Sequence, residues 1–136
     1  DLVVIVAGYS DEMGRFIASN PGLQSRFNKY LSFEDYKPDE LVSIFDHFCK
    51  QNDYRLTDSA TEKIKAFFQS AYDCRDKMFG NARLARNIFE RAIENQSTRI
   101  LTTDMTSDVL TTIEDCDISV PTETKTLGSP PRRIGF

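Results

Sequence analysis

The stretch 81-NARLARNIFERAIENQSTRI-100 decides the fold of this chain. Its apolar residues recur every three or four positions, which is the spacing of one face of an α-helix. The pattern predicts a long amphipathic helix from about Asn81 to Ile100. Such a helix needs neighbouring elements to cover its apolar face. The residues expected in its core are Leu84, Ile88, Phe89, Ala92 and Ile93.

Further helices are predicted on both sides of this one. Pro38 begins a helix, because proline suits the first helical position and acidic residues follow it, although Lys37 is a poor cap. Thr57 is the expected N-cap of the next helix, and a short fourth helix is predicted over residues 104–113. Helices joined by short loops form a small bundle. Its other expected core residues are Leu41, Ile44, Phe45, Phe48, Ala60, Ile64, Phe67, Phe68 and Ala71.

Two arginines, Arg83 and Arg86, lie at the start of the long helix. A cation near a helix N-terminus costs about 0.3–1 kcal/mol, so helix stability alone does not favour them. The unpaired N–H groups at that end favour anions, and guanidinium groups bind phosphate well. These features predict a phosphate site. The alternative is that Arg86 pairs with Glu90 at i,i+4 while Arg83 points into water.

The first eight residues, 1-DLVVIVAG-8, have the composition of a fully buried strand in a parallel sheet. A strand needs neighbours to pair its N–H and C=O groups, and residues 30–33 are the one other candidate. We therefore expect the C-terminal part of a larger α/β domain. Between these strands, short helices are predicted over residues 11–19 and 23–27, with a turn at 20-NPG-22.

Composition argues against several classes of function. The chain has 136 residues, 40% of them apolar and 28% charged, with a net charge of −4. These values favour a soluble domain without a membrane segment and disfavour nucleic-acid binding. The three cysteines have neither metal-ligand nor disulfide spacing, which fits reduced thiols in the cytoplasm. The single histidine, His47, gives little support to a catalytic triad or a zinc site.

Four motifs occur in an order that resembles the AAA+ ATPases of the stage V sporulation protein K and CbbX (red-type Rubisco activase) group. They are 4-VIVAGY-9, 20-NPGLQSRF-27, 33-FEDY-36 and 79-FGNAR-83. The likeness runs from residue 1 to about residue 118. It implies an α/β fragment followed by α. Residues 1–36 would be the C-terminal part of the AAA+ large subdomain, residues 37–118 the helical lid subdomain, and residues 119–136 a flexible tail.

The resemblance also implies roles for single residues. Arg26 resembles the arginine finger, which acts in trans on the ATP of the neighbouring subunit. Arg83 resembles sensor 2, which reaches the ATP of its own subunit, and Asn81 and Arg86 are further cofactor-binding candidates. At the sensor-1 position, where many AAA+ proteins carry Asn or Thr, this chain has Tyr9, with Ser10 as the other candidate.

No G-x-x-x-x-G-K-[ST] loop occurs, and residues 11–12, Asp-Glu, are expected to be an acidic first helical turn rather than a Walker-B pair. The resemblance implies that ATP and Mg²⁺ are bound mainly upstream and that this fragment holds no metal. It implies a cytoplasmic ATP hydrolase, a homo-oligomer with six subunits expected, which remodels a protein client and binds neither nucleic acid nor membrane. The fragment alone is expected to be inactive. The alternative is an autonomous helical interaction module whose arginines bind an acidic protein surface.

Overall fold

A computed structural model describes residues 2–101 and 107–120. The chain divides into two compact units, Asp1–Glu34 and Asp35–Phe136. No helix among the described residues has the length and apolar character needed to cross a bilayer. The elements of the first unit are α1 (Ser10–Ala18) and α2 (Pro21–Arg26). Those of the second are α3 (Pro38–Gln51), β1 (Arg55–Leu56), α4 (Asp58–Asp73), α5 (Asn81–Ile100), α6 (Ser107–Thr111), β2 (Thr112–Ile113) and a 3-10 turn (Asp115–Asp117).

The strands predicted over residues 2–6 and 30–33 do not form among the described residues. Their apolar side chains lie in solvent: Leu2 is 89% exposed and Phe33 is 91% exposed. An extended segment becomes a strand only when a second strand pairs with its N–H and C=O groups. No described segment pairs with either stretch, so neither forms a strand in this chain by itself.

The two short helices of the first unit are confirmed, with one change at their junction. Asp11 and Glu12 lie in the first turn of α1, as expected. The predicted turn at residues 20–22 is instead the start of α2. The Asn20 Oδ1 atom accepts a hydrogen bond of 2.8 Å from the N–H of Gly22. Pro21 takes the first helical position, where its missing N–H removes no hydrogen bond.

The second unit is a helical bundle in which α3 packs against both α4 and α5. The predicted start of α3 at Pro38 is confirmed, and the Glu40 carboxylate accepts a 2.8 Å hydrogen bond from the N–H of Lys37. This half of a capping box compensates for the poor cap. Thr57 caps α4, since its Oγ1 accepts from the N–H of Ala60 at 3.2 Å.

The core of the bundle confirms most of the predicted apolar stripes. Ile44, Phe48 and Ile93 are the exceptions, because they are half-buried at its margin. Burial raises the pKa of the Cys49 thiol to about 12, which keeps that cysteine neutral. The buried apolar residues are Leu41, Phe45, Cys49, Ala60, Ile64, Phe67, Phe68, Ala71, Leu84, Ala85, Ile88, Phe89, Ala92, Ile113 and Ile118.

Strands β1 and β2 form a parallel pair that was not predicted from the sequence, with Leu56 opposite Ile113. The helix predicted over residues 104–113 therefore ends earlier, because α6 ends at Thr111 and β2 follows at once. Residues 102–106 lie outside the described residues. Most of the predicted tail, residues 121–136, also lies outside them, while Val120 packs against the core.

The last turn of α5 anchors the segment after β2. Arg99 donates to both carboxylate oxygens of Asp117 at 2.9 Å, to Glu114 Oε1 at 2.9 Å and to the Thr112 carbonyl at 3.1 Å. Asp117 is only 2% exposed. Its hydrogen bonds raise the pKa of Arg99 further. A buried carboxylate is tolerated here because the bidentate guanidinium pairs it.

Candidate functional site

The start of α5 has an unusual backbone. A Cβ atom on Gly80 would lie 3.3 Å from the Cβ of Leu84, so close packing of this turn favours glycine. Asn81, the first helical residue, has a φ of 48°. That is the left-handed region, which asparagine adopts more readily than most residues with a side chain. The chain therefore turns sharply just before the two arginines.

The side chain of Asn81 is fully engaged within the second unit. Its Oδ1 accepts a 2.8 Å hydrogen bond from the N–H of Tyr36. Its Nδ2 donates to Asp35 Oδ1 at 2.7 Å and to the carbonyl of Phe79 at 3.3 Å. Cofactor binding by Asn81 stays a prediction, and the structure adds a second role. No local sequence pattern links Asp35 to Asn81, although the two residues lie in the motifs 33-FEDY-36 and 79-FGNAR-83.

Arg83 lies two residues further along the helix and is exposed. Within residues 2–101 and 107–120, no other side chain or carbonyl pairs with its guanidinium. Its backbone N–H is already used, since it donates to the Gly80 carbonyl at 3.0 Å. A solvated cation beside helix N–H groups is a suitable partner for an incoming phosphate.

Arg86 lies one turn beyond Arg83 and is held by an aromatic ring. Its guanidinium carbon is 5.3 Å from the centroid of Phe48, which itself stacks on Phe89 at 5.8 Å. The alternative ion pair between Arg86 and Glu90 is not formed in the described part of the chain. A cation over an aromatic face is attracted by the ring quadrupole, and this contact orients Arg86 toward α3.

Arg26 and Tyr9 belong to the first unit. Arg26 ends α2 and is exposed, and its Nη1 donates to the Gly22 carbonyl of the same helix at 3.0 Å. A positive charge at a helix C-terminus is favourable. Tyr9 precedes α1 and is 58% exposed, and its carbonyl accepts a 2.8 Å hydrogen bond from the N–H of Met13. The structure thus brings Asn81, Arg83 and Arg86 together on one helix.

Residues 37–128 match the model of a known family, the AAA lid domain. The chain belongs to this family. The fold class and the resemblance to AAA+ ATPases predicted above are confirmed.

Several curated proteins are similar to this AAA lid chain. Protein CfxQ homolog of Cyanidium caldarium is 40% identical over 121 residues, which are 87% of this chain and 42% of that protein. Stage V sporulation protein K of Bacillus subtilis (strain 168) is 35% identical over 126 residues, 90% of this chain and 39% of that protein. The chloroplastic ribulose bisphosphate carboxylase/oxygenase activase of Cyanidioschyzon merolae is 39% identical over 121 residues, with shares of 87% and 41%. The chain therefore spans less than half the length of these relatives.

Within the AAA lid domain, the positive charge at the start of α5 is the feature that suits an anionic ligand. Cys49, Cys74 and Cys116 are free thiols. Among the described residues, no group of three or more His, Cys, Asp or Glu side chains could hold a metal ion. Guanidinium groups in this position are chemically suited to bind a phosphate.

Proposed function

We propose that this chain supplies the lid and sensor part of an oligomeric AAA+ ATP hydrolase that remodels a protein partner, similar to stage V sporulation protein K. The proposal rests mainly on the state of the Arg83 side chain at the start of α5. In an AAA lid domain, its exposed guanidinium lacks a described partner and stands at the N-terminal end of a helix whose opposite face is buried. An arginine in this state costs stability and is best accounted for by a ligand.

Arg83 acts as sensor 2 in this proposal. It reaches the phosphates of ATP bound in its own subunit, while residues outside this chain hold most of the nucleotide and Mg²⁺. The buried face of α5 joins it to the core through Leu84, Ile88 and Phe89. Because packed cores do not deform continuously, a displacement of Arg83 by the bound phosphates moves the whole helical bundle as a rigid unit. Arg86 and Asn81 contribute to nucleotide binding at the same end of the helix.

Arg26 acts as the arginine finger of a neighbouring subunit. It is exposed, and among the described residues its side chain donates to the Gly22 carbonyl of its own short helix, an acceptor that a phosphate can replace. A planar, permanent cation stabilises the charge that spreads over the γ-phosphoryl oxygens, and arginine fingers contribute about 10³–10⁵ in rate. This role requires a homo-oligomer, for which six subunits are expected. Tyr9 takes the sensor-1 position, and the cytoplasm is the expected compartment.

The experiment is ATP turnover by the full-length protein, comparing wild type, Arg26→Ala and an equal mixture of the two. We expect wild type to hydrolyse ATP and Arg26→Ala to bind ATP but fail to hydrolyse it. The equal mixture should hydrolyse ATP at less than half of the wild-type rate. The matched control is Arg15→Ala. Arg15 is also exposed and donates to a carbonyl of its own helix, Asp11 O, at 3.3 Å.

Three results would contradict the proposal. Equal loss of activity in Arg15→Ala would show that a general loss of charge is responsible. A large loss of ATP binding in Arg26→Ala would indicate a structural role. Absence of hydrolysis by wild type with any nucleotide or partner would favour a helical interaction module instead. The 136-residue chain alone should not hydrolyse ATP, because no phosphate-cradling loop occurs in it.

A further inference from the structure

The segment Asp35-Tyr36 and the first residue of α5 are joined by a pair of hydrogen bonds. The amide of Asn81 accepts from the N–H of Tyr36 at 2.8 Å and donates to the carboxylate of Asp35 at 2.7 Å. These residues are far apart along the chain. We call the two side chains the Asp35–Asn81 clamp. An amide that bonds a backbone N–H and a carboxylate at once fixes both distance and orientation.

The clamp is extended on the Asp35 side. The second carboxylate oxygen of Asp35 lies 3.5 Å from Nε of Arg75. The guanidinium of Arg75 lies 3.7 Å from the ring centroid of Tyr72 and donates to the Tyr72 carbonyl at 2.8 Å. Asp35 is therefore tied both to the end of α4 and to the start of α5.

Residue 81 combines a left-handed backbone with a side chain that makes three hydrogen bonds. Glycine would satisfy a φ of 48° with less strain. A residue that bears an amide is present instead, and all three polar contacts of that amide lie within the second unit. The amide of Asn81 therefore accounts for the contact with residues 35–36, whereas the left-handed backbone alone requires only glycine.

We propose that Asn81 and Asp35 are positioning residues, which hold the first turn of α5, and with it Arg83, to the point where the chain joins the second unit. Residue 34 ends the first unit, so residues 35–36 are the direct covalent continuation of it. A displacement of that connection is passed to Asn81 and then, two residues later, to Arg83. The inference deepens the proposed function and rests on it in one respect, because Arg83 must meet a nucleotide for its position to matter.

The test uses the full-length protein with two readouts. The first is amide hydrogen exchange of residues 35–37 and 81–85, which requires no activity. The second is the KM and kcat for ATP. The variants are Asn81→Gly, which keeps the left-handed backbone but removes the amide, Asp35→Ala, and the double variant. Asp35→Asn is the conservative variant, because its side-chain oxygen can still accept from Asn81.

The matched control is Asn95→Ala, at the other end of the same helix. The Nδ2 of Asn95 donates to the Asp117 carbonyl at 2.8 Å and to Ser119 Oγ at 2.7 Å, so this variant also removes amide hydrogen bonds from α5. It separates a positioning effect from a general loss of stability.

We expect Asn81→Gly and Asp35→Ala each to speed exchange in both segments and to raise KM about threefold to tenfold, with kcat changing less. The double variant should add little to either single one, because the residues act together. Asp35→Asn should remain close to wild type, and Asn95→Ala should leave KM and exchange in residues 81–85 unchanged.

Exchange that changes only in the mutated segment, or an equal rise of KM in Asn95→Ala, would overturn the clamp. If wild type does not hydrolyse ATP, the proposed function fails while the exchange readout still decides whether Asp35 and Asn81 are coupled. If wild type is active and the clamp variants match it in exchange and in KM, only the clamp fails.

Discussion

The two ends of α5 carry arginines in opposite states. Arg99, near the C-terminal end, is bound by two carboxylates and a carbonyl and is 21% exposed. Arg83, near the N-terminal end, lies in solvent without a partner among the described residues. The helix dipole favours the first position and opposes the second. The comparison shows that the partner of an arginine, rather than its presence on a helix, separates a structural residue from one available to a ligand.

Arg86 is intermediate between these two states. It is exposed, as Arg83 is, but the ring of Phe48 holds its guanidinium. The three residues therefore form a series along one helix, from a fully paired arginine to an unpaired one. Substitution by alanine should rank them in the same order by loss of stability.

The largest effect is expected from Arg99→Ala. Removing the guanidinium leaves the buried Asp117 carboxylate with the N–H of Glu114, at 2.9 Å, but without an opposite charge, which costs about 3 kcal/mol or more in the free energy of unfolding. Urea unfolding of the chain measures this, with Arg91→Ala as the control, because Arg91 is an exposed arginine on the same helix. A loss below about 1 kcal/mol would show that Asp117 relaxes into solvent and would break the contrast between the two ends.

Arg86→Ala should cost about 0.5–1 kcal/mol, the strength of an exposed cation–π contact. A double-mutant cycle with Phe48→Leu isolates this contact, since leucine keeps much of the apolar contact with Phe89 but has no aromatic face. The coupling energy should account for most of the single-variant loss. A coupling energy of zero would show that Phe48 does not stabilise Arg86. Arg86 would then resemble Arg83, and only the C-terminal end of α5 would carry a structural arginine.

Arg83→Ala should leave the free energy of unfolding unchanged or raise it by up to about 1 kcal/mol, because it removes no intramolecular bond and takes a cation away from a helix N-terminus. In the full-length protein the same variant should weaken ATP affinity or turnover. The reference for a structural residue is Phe67→Ala, which empties part of the core and should cost about 3–5 kcal/mol. A fall in melting temperature as large as that of Phe67→Ala would show that Arg83 is a structural residue, as Arg99 is.

The sequence predicted the features that depend on local spacing. The stripes of α3, α4 and α5, the cap at Thr57 and the proline start at Pro38 were found because a helix repeats its contacts every three or four residues. The position of Arg83 at the start of α5 follows from the same periodicity.

Features that depend on distant partners were missed or wrong. The alternative Arg86–Glu90 pair followed from i,i+4 spacing, but Phe48 on another helix holds Arg86 instead. The contact of Asn81 with Asp35 joins two motifs that no local pattern connects. Residues 2–6 have strand composition, yet strand formation requires a partner that the described residues do not provide. The pair of β1 with β2 involves two residues in each strand, too few for an alternating pattern.

The β1–β2 pair also has a consequence for the order of folding. Helices α4, α5 and α6 lie between the two strands, and β2 also supplies the Ile113 carbonyl that accepts from the N–H of Thr57 at 3.1 Å. Closing so long a segment costs chain entropy before its contacts are gained. We therefore expect this pair to form after the folding transition state, so that substitutions in it accelerate unfolding and leave the folding rate nearly unchanged. The residues of the β1–β2 pair would then determine the unfolding rate of the lid domain, while the apolar stripes of its helices determine the folding rate.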